Sequence, residues 1–150
     1  MPNAPSASAP PSVQVRRTFN ATAQRVFAAW TTAEALKRWH APAEAVVEAA
    51  TVDFRVGGRY AVHMRGPDGS LHIVTGEYRE IDPPRRIVLT WQWHTPQPGE
   101  ESLVIVEFHA NDAGTEIVLT HQGLTTEQSR DGHRFGWVSC LEKLDPVVRG

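Results

Sequence analysis

Between residues 49 and 121 the sequence repeats one event: a short stretch in which apolar and polar residues alternate, followed by a turn signal. Val52 and Phe54 lead into Gly57-Gly58, a pair that tolerates positive φ in a tight hairpin. Tyr60, Val62 and Met64 alternate before Pro67-Asp68-Gly69, and residues 73–81 run up to Asp82-Pro83-Pro84. Ile87, Leu89, Trp91 and Trp93 alternate before a loop over residues 95–99. Val104, Val106 and Phe108 precede a turn at residues 111–114, and Ile117 and Leu119 close the series. A period of two puts every second side chain on one face of a strand. Short connections make neighbouring strands antiparallel. The expectation is a six-strand meander, and Val13, Val15 and Phe19 add a seventh strand ahead of it.

Helices bracket this run. Thr22 is placed to cap a first short helix whose Val26, Phe27 and Trp30 share a face. Thr31 and Glu34 have capping-box spacing for a second, with Leu36 and Trp39 as its apolar side and Pro42 just beyond it. At the far end Trp137, Leu141, Leu144 and Val148 recur every three or four residues, and Phe135, Val138 and Cys140 widen that face. Pro146 is expected to end the regular helix or begin its fraying.

Seven antiparallel strands present one large apolar face, and one long helix with two short ones must cover it. A twisted sheet meets that demand by curving around the long helix. The space left is either packed by the five Trp and five Phe or left open as a pocket. The fold class is therefore α+β.

The 150-residue chain has the length of one domain, read as residues 13–150 behind a flexible Pro-, Ala- and Ser-rich tail at 1–12. A net charge of -2 gives no footprint for nucleic acid. No apolar run reaches membrane-span length, and the first residues lack the pattern of a signal peptide. The lone Cys140 excludes an internal disulfide, which fits a reducing, cytoplasmic setting. The seven histidines form no metal-ligand spacing, and nothing implies a cofactor.

Several segments taken in order resemble one family. These are Val15-Arg16-Arg17-Thr18-Phe19, Val26-Phe27-Ala28-Ala29-Trp30-Thr31, Leu36-Lys37-Arg38-Trp39 and Asp53-Phe54-Arg55-Val56-Gly57-Gly58-Arg59-Tyr60. Gly76-Glu77-Tyr78, Trp91-Gln92-Trp93, Leu119-Thr120-His121 and Gly136-Trp137 continue the set. They resemble the bacterial homologues of the activator of heat-shock-protein ATPase, within the START-like (SRPBCC) superfamily. The resemblance implies a helix-grip (START-like, Bet v-like) fold: a curved seven-strand antiparallel sheet around a long C-terminal helix, with two short helices after strand one. It transfers no catalytic set, since one fold hosts many functions. His40 stands where many relatives carry a second tryptophan after Trp39. The short chain leaves no room for the further N-terminal domain of the eukaryotic chaperone activator.

Three readings follow. In the first, a hydrophobic or amphipathic small molecule, such as a lipid, sits between sheet and helix. Tyr60, Met64, Trp91, Trp93 and Trp137 supply apolar contact, with Trp30, Trp39 and Leu141 completing the lining. Arg17, Glu77 or His121 would orient its polar end. Arg17 shares strand phase with Val15 and Phe19, so it needs a carboxylate such as Glu77 or Asp53, or a bulge that turns it outward. Glu77 shares phase with Ile73 and Ile81 and is expected to point inward, whereas His63 and His121, which also lie in strands, are read as surface or satisfied histidines in preference to cavity-facing ones. In the second reading the chain is a polyketide cyclase-like or hydrolase-like enzyme using Glu77 or His121 as acid and base. In the third, in keeping with the family name, its partner is a chaperone in the stress response. Both a monomer and a homodimer through an edge strand are compatible with the sequence.

Overall fold

The computed structural model describes residues 12–149, so the tail expected at 1–12 lies, apart from Ser12, outside the described residues. β1 (Val13–Phe19) is followed by α1 (Ala23–Ala28) and α2 (Ala33–Leu36). The meander then runs through β2 (Val46–Val52), β3 (Arg59–Arg65), β4 (Leu71–Asp82), β5 (Arg86–Thr95), β6 (Ser102–Asn111) and β7 (Gly114–Gln122). The chain ends in α3 (Glu127–Val148).

All seven strands form one antiparallel sheet in the order β1-β7-β6-β5-β4-β3-β2. β1 therefore closes onto the last strand of the meander, with Val15 opposite Leu119. Register shifts between Val47 and Ala49, between Ile73 and Val74, and between Tyr78 and Glu80 bend the sheet where it must curve. The concave face presents Tyr60, Val62, Met64, Val74, Tyr78, Leu89, Trp91, Val104, Phe108 and Leu119. Trp137, Cys140, Leu141, Leu144 and Val148 of α3 meet them, and these residues belong to one hydrophobic core. This is the helix-grip arrangement.

Gly76 shows how tightly the sheet closes beneath that core. A Cβ there would run into the Thr90 carbonyl and the Tyr60 ring. The Tyr60 hydroxyl lies across this gap and donates to Thr90 O at 2.7 Å.

Four local expectations are corrected. The cap of α2 is Thr32, whose hydroxyl accepts from Ala35 N–H at 3.1 Å. Thr31 instead donates its hydroxyl to Ala28 O at 2.8 Å, so the Thr31–Glu34 box does not form. α3 passes through Pro146 and ends at Val148, because a proline removes one donor but its φ is already helical. Phe135 and Val138 do not widen the buried face: they are 65% and 41% exposed. At 100° per residue Phe135 lies roughly 200° around the helix from Trp137. Glu77 does not point inward either. The Tyr78/Glu80 bulge breaks the even count from Ile81, so Val74, Gly76 and Tyr78 are the buried positions of β4.

Candidate functional site

A cavity of about 250 Å³ lies between the sheet and the first half of α3. Met64 of β3 and Trp91 and Trp93 of β5 form its sheet side, each at an inward position of its strand. Ser129, Gly132, His133, Gly136, Trp137 and Cys140 form its helix side. Most of their spacings are three or four residues, so they make one stripe along α3. Two members of the stripe are glycines, which leave the helix bare where the cavity lies. His40 and Pro42, from the loop after α2, close the third side. Gly132 is exposed and Gly136 half-buried, so the opening lies along these glycines. Pro42, Met64 and Trp93 also border a shallower hollow of about 660 Å³ that extends outward over Ala45, Pro67 and His72.

The loop is tied to the helix. The Ala43 N–H donates to the Ser139 hydroxyl, and Lys143 Nζ donates to Ala41 O at 2.7 Å and Ala45 O at 2.9 Å. Ala43 sits at φ 48°, in the left-handed region, to make this connection.

The cavity wall is almost wholly apolar and carries no Asp, Glu, Lys or Arg. Its histidines are held neutral. Burial pushes His40 down to about 4, against a weaker opposing interaction with its own backbone carbonyl. Burial also lowers His133, opposed by a hydrogen bond to the Ser129 carbonyl. His133 Nδ1–H donates to that carbonyl at 2.7 Å, which leaves Nε2 to accept from the Trp93 indole N–H at 3.0 Å. Behind the wall His121 repeats the device. Its Nδ1 accepts from the Trp137 indole at 3.1 Å, and its Nε2–H donates to Ser102 Oγ at 2.7 Å. The Ser102 hydroxyl donates in turn to Trp91 O at 3.1 Å. Burial, and secondarily His133, pushes His121 down to about 3. A proton added at either indole-bonded nitrogen would set two N–H groups against each other. The two imidazoles therefore act as clamps that fix the orientation of Trp93 and Trp137.

Two polar atoms on wall residues have no hydrogen-bond partner among the described residues: His40 Nδ1 and Trp91 Nε1. The two rings lie 5.7 Å apart, centroid to centroid. Cys140, the free thiol, is buried at the cavity, and burial pushes its pKa up to about 12. It is a small hydrophobe here and no nucleophile.

Of the residues nominated from sequence, Met64, Trp91, Trp93 and Trp137 come together on the wall. Trp30, Trp39, Tyr60 and Leu141 are core. Trp30 packs against Trp39 at 4.6 Å and stacks on Trp137 at 6.3 Å between centroids, which supports the wall from behind. His121 is likewise behind the wall. Arg17 is half-buried but finds its carboxylate on α3: Nη2 is 3.4 Å from Asp145 Oδ2. Neither Glu77 nor Asp53 reaches it. Asp53 pairs with Arg55 at 2.9 Å, and Glu77 lies on the outer face, 3.5 Å from Arg79. His63 is on the outer phase of β3. Glu77, one of the acid–base candidates, therefore lies away from the cavity. Among the described residues no group of three His, Cys, Asp or Glu side chains could hold a metal ion, and no helix is long and apolar enough to cross a membrane.

His40, Pro42, His133 and the two helix glycines were not found from sequence. The available signal was the spacing of Ser129, Gly132, His133, Gly136 and Cys140. It is a helical stripe of small and polar residues, which a search for apolar periodicity passes over.

The fold recurs in solved structures. A Chromobacterium violaceum protein matches with a TM-score of 0.86 at 23% identity, covering 93% of this chain and 97% of its own. An AHSA1 protein from Silicibacter pomeroyi matches with a TM-score of 0.82 at 26% identity, covering 91% and 96%. An uncharacterized protein from Rhizobium leguminosarum matches with 0.78 at 29% identity, covering 92% and 93%. No curated protein matches the chain. A family model described as "Activator of Hsp90 ATPase homolog 1-like protein" matches residues 20–149. The chain therefore belongs to that family, within the START-like (SRPBCC) superfamily.

Proposed function

We propose that this protein binds a small apolar molecule in the cavity between the sheet and α3. The observation that carries the reading is an apolar cavity of about 250 Å³ kept open by a helix with glycine at two of its facing positions. A dry apolar cavity of about 150 Å³ takes up benzene, so this one has room for a fused two-ring molecule. Glycine inside a helix costs up to about 1 kcal/mol relative to alanine. A helix whose only task was to fill the core would gain by replacing both. Tryptophan faces clamped by neutral histidines favour a flat aromatic occupant. The wall supplies no acid–base pair, so binding rather than catalysis is the role assigned.

The test is a thermal melt with naphthalene. A ligand at a hundredfold excess over its Kd stabilises by about 2.7 kcal/mol, which raises Tm by roughly 5–11 °C in a chain of this size. Gly136→Leu places a side chain across the opening, toward Pro42, and should abolish the shift while keeping the fold. An unchanged Tm across fused-ring ligands would remove the reading.

A further inference from the structure

Resting on that reading, we propose that the site continues past the cavity into the hollow beside it, and that its ligand is an elongated amphiphile: an aromatic end in the cavity, an apolar chain along the hollow and a cationic group at the outer rim. The two spaces meet. Pro42, Met64 and Trp93 line both, so a molecule that fills the cavity and leaves it past these side chains enters the hollow. Size points the same way. The cavity, at about 250 Å³, lies below the roughly 300–1,000 Å³ usual for ligand sites. Joined to the hollow of about 660 Å³, it lies within that range. The surface of the hollow is mostly apolar, with Ala45 and Pro67 beside the three shared residues.

Charge sets which end goes where. No Asp, Glu, Lys or Arg lines the cavity, so the apolar end belongs there. The Asp, Glu, Lys and Arg side chains that line the hollow are Glu44 and Asp68, both carboxylates and both exposed. They stand on loops that are held in place. Glu44 lies in the segment that Ser139 and Lys143 tie to α3. Asp68 Oδ1 accepts from Ser70 N–H at 3.0 Å and from Ser70 Oγ at 2.7 Å, and these bonds hold its carboxyl below the usual range, hence ionised. Neither carboxylate is in an ion pair among the described residues. The cations of the neighbouring segments are engaged elsewhere. Arg65 forks onto Glu48 at 2.9 Å and 3.0 Å, and Lys143 Nζ is turned to the Ala41 and Ala45 carbonyls. Two open carboxylates at the rim favour an ammonium group there and oppose a carboxylate.

Equilibrium dialysis with naphthalene, 4-(2-naphthyl)butylamine and 4-(2-naphthyl)butanoate tests this at about pH 8, where an ordinary histidine carries no charge. The butylamine should bind about tenfold more tightly than naphthalene, the gain from burying about two of its methylenes. It should bind about fivefold more tightly than the butanoate, since exposed ion pairs are weak, and that ratio should fall toward one at about 1 M salt. Glu44→Gln combined with Asp68→Asn keeps the Oδ1 acceptor for Ser70. This double variant should remove the preference for amine over acid while leaving naphthalene affinity within about twofold. The ligand series at low and high salt decides the matter alone if the double variant fails to fold. Butylamine binding no tighter than naphthalene, butanoate binding as tight as butylamine, or an amine preference that persists in the double variant overturns the extended site and leaves the cavity reading standing. Absence of naphthalene binding overturns the cavity reading and this inference with it.

Discussion

Lowering the pH from 8 to 5 should destabilise this protein far more than its composition suggests. His40 is held down to about 4 and His121 to about 3, in both cases mainly by burial. An unfolded histidine titrates near 6.5, so in this window the unfolded chain takes up protons that the folded chain refuses. Stability from these rings is complete above about pH 6.5 and is lost progressively as pH falls below it. Between pH 8 and pH 5 each ring forfeits about 2 kcal/mol, and the two together about 4 kcal/mol. His133 is lowered as well and acts in the same direction. Glu48 and Asp68 are held below the usual carboxylate range by hydrogen bonds from Arg65 and Ser70, and they titrate beneath this window. With a urea m-value of about 2 kcal/mol/M, the unfolding midpoint should drop by about 2 M. Tryptophan fluorescence in urea, at fixed ionic strength and at both pH values, reads this directly. His121→Gln should reduce the drop by about half. A midpoint that is the same at pH 8 and pH 5 would refute the argument, since it would mean that both rings accept protons in place.

Three further outcomes follow from the same geometry. Gly132→Ala meets nothing within 4 Å, so it should stabilise the helix by about 1 kcal/mol and raise Tm by about 2–4 °C in calorimetry; a lower Tm would contradict the open surface described at that position. Ser102→Ala strands the buried His121 N–H and should cost about 1–3 kcal/mol in urea unfolding, whereas no cost would mean that the relay to Trp91 O is not formed. Cys140 should resist iodoacetamide at neutral pH in the native protein and react readily in urea, as judged by mass spectrometry; rapid native alkylation would contradict a buried, protonated thiol.

The sheet was legible in the sequence because its signals are local. The alternation of Ile87, Leu89 and Trp91, or of Val104, Val106 and Phe108, survives in the structure as the buried phase of β5 and β6. The closure of β1 onto β7 follows the element order of the family. Phase failed at β4, where a bulge shifts the count between Ile81 and Glu77. It failed again on α3, where apolar character alone made Phe135 look like core. The cavity was half legible. Met64, Trp91, Trp93 and Trp137 are large and apolar, which marks them for the interior in any fold. Whether such residues fill a core or wall a space depends on what is missing opposite them. Gly132 and Gly136 create the space by lacking side chains, and no hydropathy pattern records that. The partner of Arg17 was equally hidden, because Asp145 meets it only once α3 is laid across β1.

The central claim is an open, apolar cavity that accepts a ligand. The chain has two methionines, Met64 on the cavity wall and Met1 at the terminus. With methyl-13C methionine the NMR spectrum therefore holds two methyl signals, of which Met64 is the probe of the cavity. On titration with naphthalene the account predicts that the Met64 methyl, assigned by its loss in Met64→Leu, shifts saturably under the ring current of the bound aromatic. A Met64 signal that does not move at saturating ligand would contradict it.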